Sequence, residues 1–298
     1  MDAIDDLARR ITAPGVGIVR DAAAGGARVE ITNAAATAMI SLKGAQVLAW
    51  TPTGAEPVLW TSSVTPADDK AMRGGVPICW PWFADHPSDP SQPFHGLVRT
   101  VPWALTAAER TAADRTRLSF ILPDAVNRAL PLAAVLIVEV GTTLRLTLTT
   151  ENRGAAPARL TEALHTYFRV SDVGAVRVEG LEGVDYLDKV DAFARKHQTG
   201  AIDFQGETDR IYLAGGTTRI VDPGFGRAIR IASAGSGATV VWNPGPERGA
   251  RMADIHPGGF REFVCVETAN AADAAFTVPA GGRHPLVAEI TVEPHPRG

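Results

Sequence analysis

Leu144-Arg145-Leu146-Thr147-Leu148-Thr149 sets apolar residues against polar ones with a period of two. That period puts the leucines on one face of a β-strand and the arginine and threonines on the other. The same alternation flanks Ser41 with Ile40 and Leu42. It recurs near 28–33, 46–51, 116–122, 134–140, 158–170, 175–180, 227–233, 239–243 and 285–292. Turn-forming residues punctuate these runs: Gly25-Gly26, Pro52-Thr53-Gly54, Asn152-Arg153-Gly154, Gly215-Gly216, Asp222-Pro223-Gly224, Gly235-Ser236-Gly237 and Gly281-Gly282. Many short strands with few helical windows predict an all-β fold, an antiparallel sandwich or barrel. Ile4, Leu7, Ala8 and Ile11 follow helical spacing instead and predict a short N-terminal amphipathic helix. No linker, repeat or low-complexity tract interrupts the sequence, so one large β domain over 1–298 is expected.

At 298 residues, 45% hydrophobic and 21% charged, the chain can bury a large core. A net charge of −4 supplies no global basic field for nucleic acid or an anionic membrane. The N-terminus is acidic first and basic later, the reverse of a signal peptide, and no apolar run reaches the ~18 residues of a membrane span. Cys79 and Cys265 form no CxxC pair, which argues against a disulfide framework and for a reducing compartment. A cytoplasmic location is expected.

Arg73-Gly74-Gly75-Val76-Pro77-Ile78-Cys79-Trp80-Pro81-Trp82-Phe83 and Phe94-His95-Gly96-Leu97-Val98-Arg99 carry the densest chemistry. Arginine offers a planar fork of donors suited to phosphate or carboxylate. Indole faces pack on the C–H faces of sugars, and glycines let a ligand approach the backbone. A small, polar, anionic ligand fits this combination. Of the rings Trp80, Trp82 and Phe83, at least one is expected in the core.

Three further residues stand out. In Glu162-Ala163-Leu164-His165-Thr166-Tyr167-Phe168-Arg169-Val170, alternation puts Leu164, Phe168 and Val170 on one face and His165 on the other, toward water or a cleft. Glu267 follows the apolar run Phe263-Val264-Cys265-Val266, where a carboxylate is costly unless paired or shifted in pKa. A surface glutamate past a strand end is the competing reading. Asp209 reads as a turn acid or a partner of Arg210. Gly235-Ser236-Gly237 lies between two strand-like runs and so fails the dinucleotide-binding test, leaving a hairpin turn. There is no GxxxxGK[ST], no HExxH and no His/Cys cluster of zinc-site spacing.

Taken in order, these motifs, with Thr208-Asp209-Arg210-Ile211-Tyr212, Asn243-Pro244, Met252-Ala253-Asp254 and Val264-Cys265-Val266-Glu267-Thr268-Ala269-Asn270, resemble the glucose-6-phosphate 1-epimerases. These are a branch of the aldose 1-epimerase, or galactose mutarotase-like, superfamily, and the resemblance runs from about residue 15 to about 292. It implies a large antiparallel β-sandwich of galactose mutarotase type, with no metal or other cofactor needed for chemistry. It implies His165 as catalytic acid and Glu267 as catalytic base, acting as imidazolium and carboxylate. It also implies Asp209 on sugar hydroxyls, and Arg73, His95 and Arg99 lining a sugar-phosphate site, with Trp82 or Phe83 stacking on the sugar. Phe94 departs from the many relatives with a polar residue there, which bears on substrate preference.

The implied activity is interconversion of the α and β anomers of a hexose 6-phosphate. The expected partner is a small-molecule sugar phosphate, with no nucleic acid or membrane, and the chain is expected as a monomer or weak homodimer. Competing readings are an epimerase of neutral aldoses, a non-catalytic carbohydrate-binding protein on the same scaffold, and a glycoside hydrolase, which needs paired carboxylates.

Overall fold

The computed structural model describes residues 3–21, 26–65, 70–123, 126 and 130–296. Among them the alternating leucines lie in the strand Thr143–Asn152, hydrogen-bonded antiparallel to Leu132–Val140 and to Arg283–Pro294. Cross-strand rungs form: Val140–Leu144–Ile290, Val138–Leu146–Ala288 and Leu136–Leu148–Leu286. Each of these side chains is at most 1% exposed. A fully buried Leu, Ile or Val contributes about 1.5–3 kcal/mol, so this alternating face drives the assembly.

These three strands form the middle of a nine-stranded sheet, which runs from Ile202–Asp203 at one edge to Ala104–Ala112 at the other. An eight-stranded sheet takes the order Ala194–His197, Asp185–Asp188, Thr208–Tyr212, Ala238–Asn243, Phe263–Asn270, Glu162–Leu164 and Ile78–Cys79. Tyr167–Arg169 also pairs with Phe263–Asn270. Val16–Asp21 to Val47–Pro52 make a four-stranded meander, and Ala158–Leu160 pairs with Phe276–Val278. One face of the eight-stranded sheet, through Leu164, Phe168, Val241, Val264 and Val266, shares a core with the nine-stranded sheet and the meander. The architecture is the large antiparallel β-sandwich that the alternation and the resemblance predict.

The expected helix is Ala3–Arg10, with Leu7 and Ile11 against the core. Met1, Asp2 and Gly25 of the expected helix and turn lie outside the described residues. Asp222-Pro223-Gly224 does join a hairpin, Thr217–Asp222 to Arg227–Ala234. Gly235-Ser236-Gly237 does not, because Arg227–Ala234 and Ala238–Asn243 belong to different sheets and the segment is a crossover. A Cβ on Gly235 would sit 1.9 Å from the Pro285 carbonyl oxygen, so the glycine serves a close backbone crossing. The run 158–170 divides into three short strands rather than one. Among the described residues no helix is long and apolar enough to cross a membrane.

Candidate active site

The outer face of the eight-stranded sheet is covered by loops, leaving two apolar clusters with a gap between them. One gathers Cys79, Phe83, Ala163, Ile211, Val240 and Ala269. The other gathers Trp60, Tyr167, Trp242, Ile255, Phe263 and Cys265. Along Phe263–Asn270 the residues turned to this face are Phe263, Cys265, Glu267 and Ala269, so Glu267 stands between the clusters. On the neighbouring segment His165 stands between Ala163 and Tyr167 in the same way. Ala163 pairs with Ala269 and Tyr167 with Cys265, so one register runs through the break at His165-Thr166 and sets His165 opposite Glu267. His165 Nε2 is 3.3 Å from Glu267 Oε1.

Glu267 is therefore mid-strand and 1% exposed, not a surface acid past a strand end. Burial, reinforced by the Asp209 carboxylate, pushes its pKa well above the ordinary carboxylate range. Burial and the cations Arg99 and Arg73 push His165 well below the ordinary imidazole range. The expected imidazolium and carboxylate are thus not the forms that burial favours. From those neutral forms, a charged pair would require a proton to pass from the glutamic acid to the imidazole. Among the described residues, His165 Nδ1 and Glu267 Oε2 are buried without hydrogen-bond partners, as is Arg99 Nε. Buried orphans of this kind mark where a polar ligand would be satisfied.

The cleft around the pair encloses about 140 Å³. His165 stacks on Tyr167 at 4.9 Å between ring centroids and donates its backbone N–H to the Pro77 carbonyl. His95 approaches His165 edge-on at 5.5 Å. Its Nδ1 accepts the Ala84 backbone N–H at 3.0 Å, and burial holds the ring neutral, so the ring proton sits on Nε2. Tyr167 accepts from Arg73 Nη1 at 2.9 Å, and burial raises its pKa, leaving the phenol with a proton to donate.

The cations of the cleft are not equivalent. Arg73 is held by Asp254 at 2.5 Å, Arg248 by Glu207 at 2.5 Å, and Lys189 by Asp209 at 2.9 Å. Arg99 has no acidic partner among the described residues. Asp209 is no turn acid. It lies in Thr208–Tyr212 opposite Trp242, and its partner is Lys189 rather than Arg210. Arg210 is one residue on and so projects from the other face, toward Gln198 and Tyr212.

Of the three rings, Trp80 is the core residue, fully buried and donating to Thr150 Oγ1. Phe83 reaches the cleft, as does the half-exposed Phe94. Trp82 does not: its indole N–H donates to the Pro93 carbonyl and its ring meets His86 edge-on, which removes it from the expected sugar platform. The glycines also serve the backbone rather than a ligand. A Cβ on Gly74 would lie 2.4 Å from Thr61 Cα, and one on Gly75 2.1 Å from the Val47 carbonyl oxygen. Lys189, Trp242 and Arg248 line the cleft without having carried a local signal, and Met252, part of a motif in the resemblance, lines it too.

Known proteins share the sequence family and the fold. The Aldose 1-epimerase family model matches residues 27–291. A protein of Escherichia coli (strain K12) named "Putative glucose-6-phosphate 1-epimerase" is 38% identical over 243 residues, covering 79% of this chain and 80% of that one. A protein of the same name from Cenchrus ciliaris is 34% identical over 259 residues, 82% and 78% of the two chains. The crystal structure of YeaD from Salmonella typhimurium, described as a "putative mutarotase", superposes with a TM-score of 0.86 at 31% identity. It covers 99% of this chain and 100% of that one. With this sandwich and this cleft, the chain belongs to the aldose 1-epimerase family and is a carbohydrate epimerase.

Proposed function

We propose that the protein interconverts the α and β anomers of a hexose 6-phosphate, glucose 6-phosphate foremost, with Glu267 as base and His165 as acid. The observation that carries the substrate class is Arg99, a cation lining the cleft with no acidic partner among the described residues while Arg73, Lys189 and Arg248 each have one. A phosphate dianion completes such a site better than a neutral hydroxymethyl group. The names of the relatives from Escherichia coli and Cenchrus ciliaris support the same class.

In the mechanism, the ionic form of the pair acts. Glu267 takes the proton of the C1 hydroxyl while His165 delivers one to the ring oxygen, and the C1–O5 bond opens to the aldehyde. Rotation about C1–C2 presents the other carbonyl face, and the two groups reverse roles on closure. The neutral His95 offers only a donor at Nε2, and Tyr167 a hydroxyl, so both orient oxygens of the sugar. NMR exchange between anomers tests the reading. Glucose 6-phosphate is expected to exchange with a higher kcat/KM than glucose. Equal values would move the protein to neutral aldoses.

A further inference from the structure

Lys189, half-buried, and Asp209, buried, form an ion pair in the cleft beside Glu267, and nothing in the acid/base scheme uses the lysine. We propose that Lys189 is a positioning residue whose ammonium, held on Asp209, offsets that carboxylate's repulsion of Glu267 and keeps Glu267 available as a proton acceptor. This rests on the acid/base reading above and adds a residue to it.

The local chain is built to present this lysine. Asp185–Asp188 ends in a single turn, Lys189–Asp191, capped by the Asp188 carboxylate on the Val190 N–H at 3.1 Å. Lys196 holds the turn from outside, 2.8 Å from both Asp188 and Asp191, which leaves Lys189 as the inward cation. Ala192 and Phe193 follow with φ of 46° and 61°. Two successive non-glycine residues in the left-handed region cost about 1–2 kcal/mol each, so the rest of the fold maintains this turn against strain. Lys189 Nζ ends 2.9 Å from Asp209 Oδ2 and 5.9 Å from the centroid of the Phe83 ring.

Register explains why Glu267 needs the lysine. Val240 lies opposite Glu267 and Trp242 opposite Asp209, with Val240 and Trp242 turned to the same face of one strand. Two carboxylates thus share one face of a buried sheet, where like charges drive one of them to protonate. The remaining groups facing Glu267 do not relieve this alone. His165, His95, Tyr167 and Cys265 are held toward their neutral forms, and Arg73 and Arg248 are occupied by Asp254 and Glu207. Lys189 and Arg99 are the cations that favour the Glu267 anion, and Asp209 opposes it.

The test follows the Glu267 carboxyl by carbon-13 NMR in the resting protein, with Glu267→Gln assigning the resonance. Lys189→Met is expected to raise the Glu267 titration by about one pH unit. Asp209→Asn is expected to lower it, and the double variant to return it near the wild-type value. Lys189→Arg should hold it in place, which separates charge from packing. With sugar present, both limbs of the pH–rate profile should move to higher pH in Lys189→Met. An unmoved Glu267 titration in a folded Lys189→Met protein overturns the proposal, as does a rise in KM with both limbs unmoved. The titration needs no sugar, so it stands apart from the reaction assigned above.

Discussion

His165 and Glu267 are cross-strand neighbours, 3.3 Å apart between Nε2 and Oε1, and each is pushed by burial toward its neutral form. The pair then holds one shared proton over a wider pH range than the two groups would apart. Adding a second proton buries a net positive charge beside Arg73 and Arg99, and removing the first buries a net negative charge beside Asp209. Both steps are opposed, so the singly protonated state is widened on each side. Anomerisation is expected to follow a broad bell whose plateau exceeds the interval between the ordinary values of 4.5 and 6.5. NMR exchange rates across the pH range check this, and a sharp optimum between those two values would count against it.

Arg99 is the cleft cation without an acidic partner among the described residues. Arg99→Ala is expected to lower kcat/KM for glucose 6-phosphate roughly 10- to 100-fold, the worth of a charged hydrogen bond, and for glucose much less, since there only its support of the Glu267 anion is lost. Arg73→Ala should harm both sugars, because Arg73 also holds the Tyr167 hydroxyl at 2.9 Å. Comparing the two substrates in the two variants distinguishes the roles.

Glu162 is fully buried on the core side of the strand Glu162–Leu164, accepting from Asn270 and Thr150 with His284 Nε2 3.4 Å away, and burial raises its pKa to about 8. The folded state therefore holds a proton that the unfolded chain releases near 4.5. Stability is full below the unfolded value and falls as pH rises toward the folded one. Between pH 6 and 8 the wild type should lose stability in denaturant titrations on this account, and Glu162→Gln should show a flatter dependence. Identical slopes would place the ionised form in the core.

Gly75 has φ of 60°, and its missing Cβ makes room for the Val47 carbonyl, while its own carbonyl accepts the Tyr167 N–H at 2.8 Å. Gly75→Ala is expected to destabilise the fold by roughly 2–4 kcal/mol through strain and overpacking. Because Tyr167 stacks on His165, activity should fall in the fraction that remains folded. Denaturant midpoints and exchange rates measure the two effects separately.

Period two made most of the sandwich legible. The run around Leu144, and those near 227–233 and 285–292, appear as adjacent strands of one sheet. It also held the answer for Asp209: neighbours in a strand face opposite ways, so Arg210 was never within its reach. What alternation cannot supply is which strands meet. His165 and Glu267 lie about a hundred residues apart, and their opposition depends on a register set by the pairing of Ala163 with Ala269. The crossover at Gly235-Ser236-Gly237 looks locally like a hairpin because the same glycines suit both. Lys189 had no local signal, since its meaning comes from Asp209 on a neighbouring strand.

If His165 and Glu267 transfer the protons as one unit, neither side chain suffices without the other. Anomer exchange of glucose 6-phosphate, measured by NMR on Glu267→Gln and His165→Asn proteins shown to be folded, tests it most directly. Each variant is expected to lose about 10²–10⁴-fold in kcat with little further loss in the double variant, as for groups acting as a unit. Near wild-type exchange in folded Glu267→Gln would contradict the account.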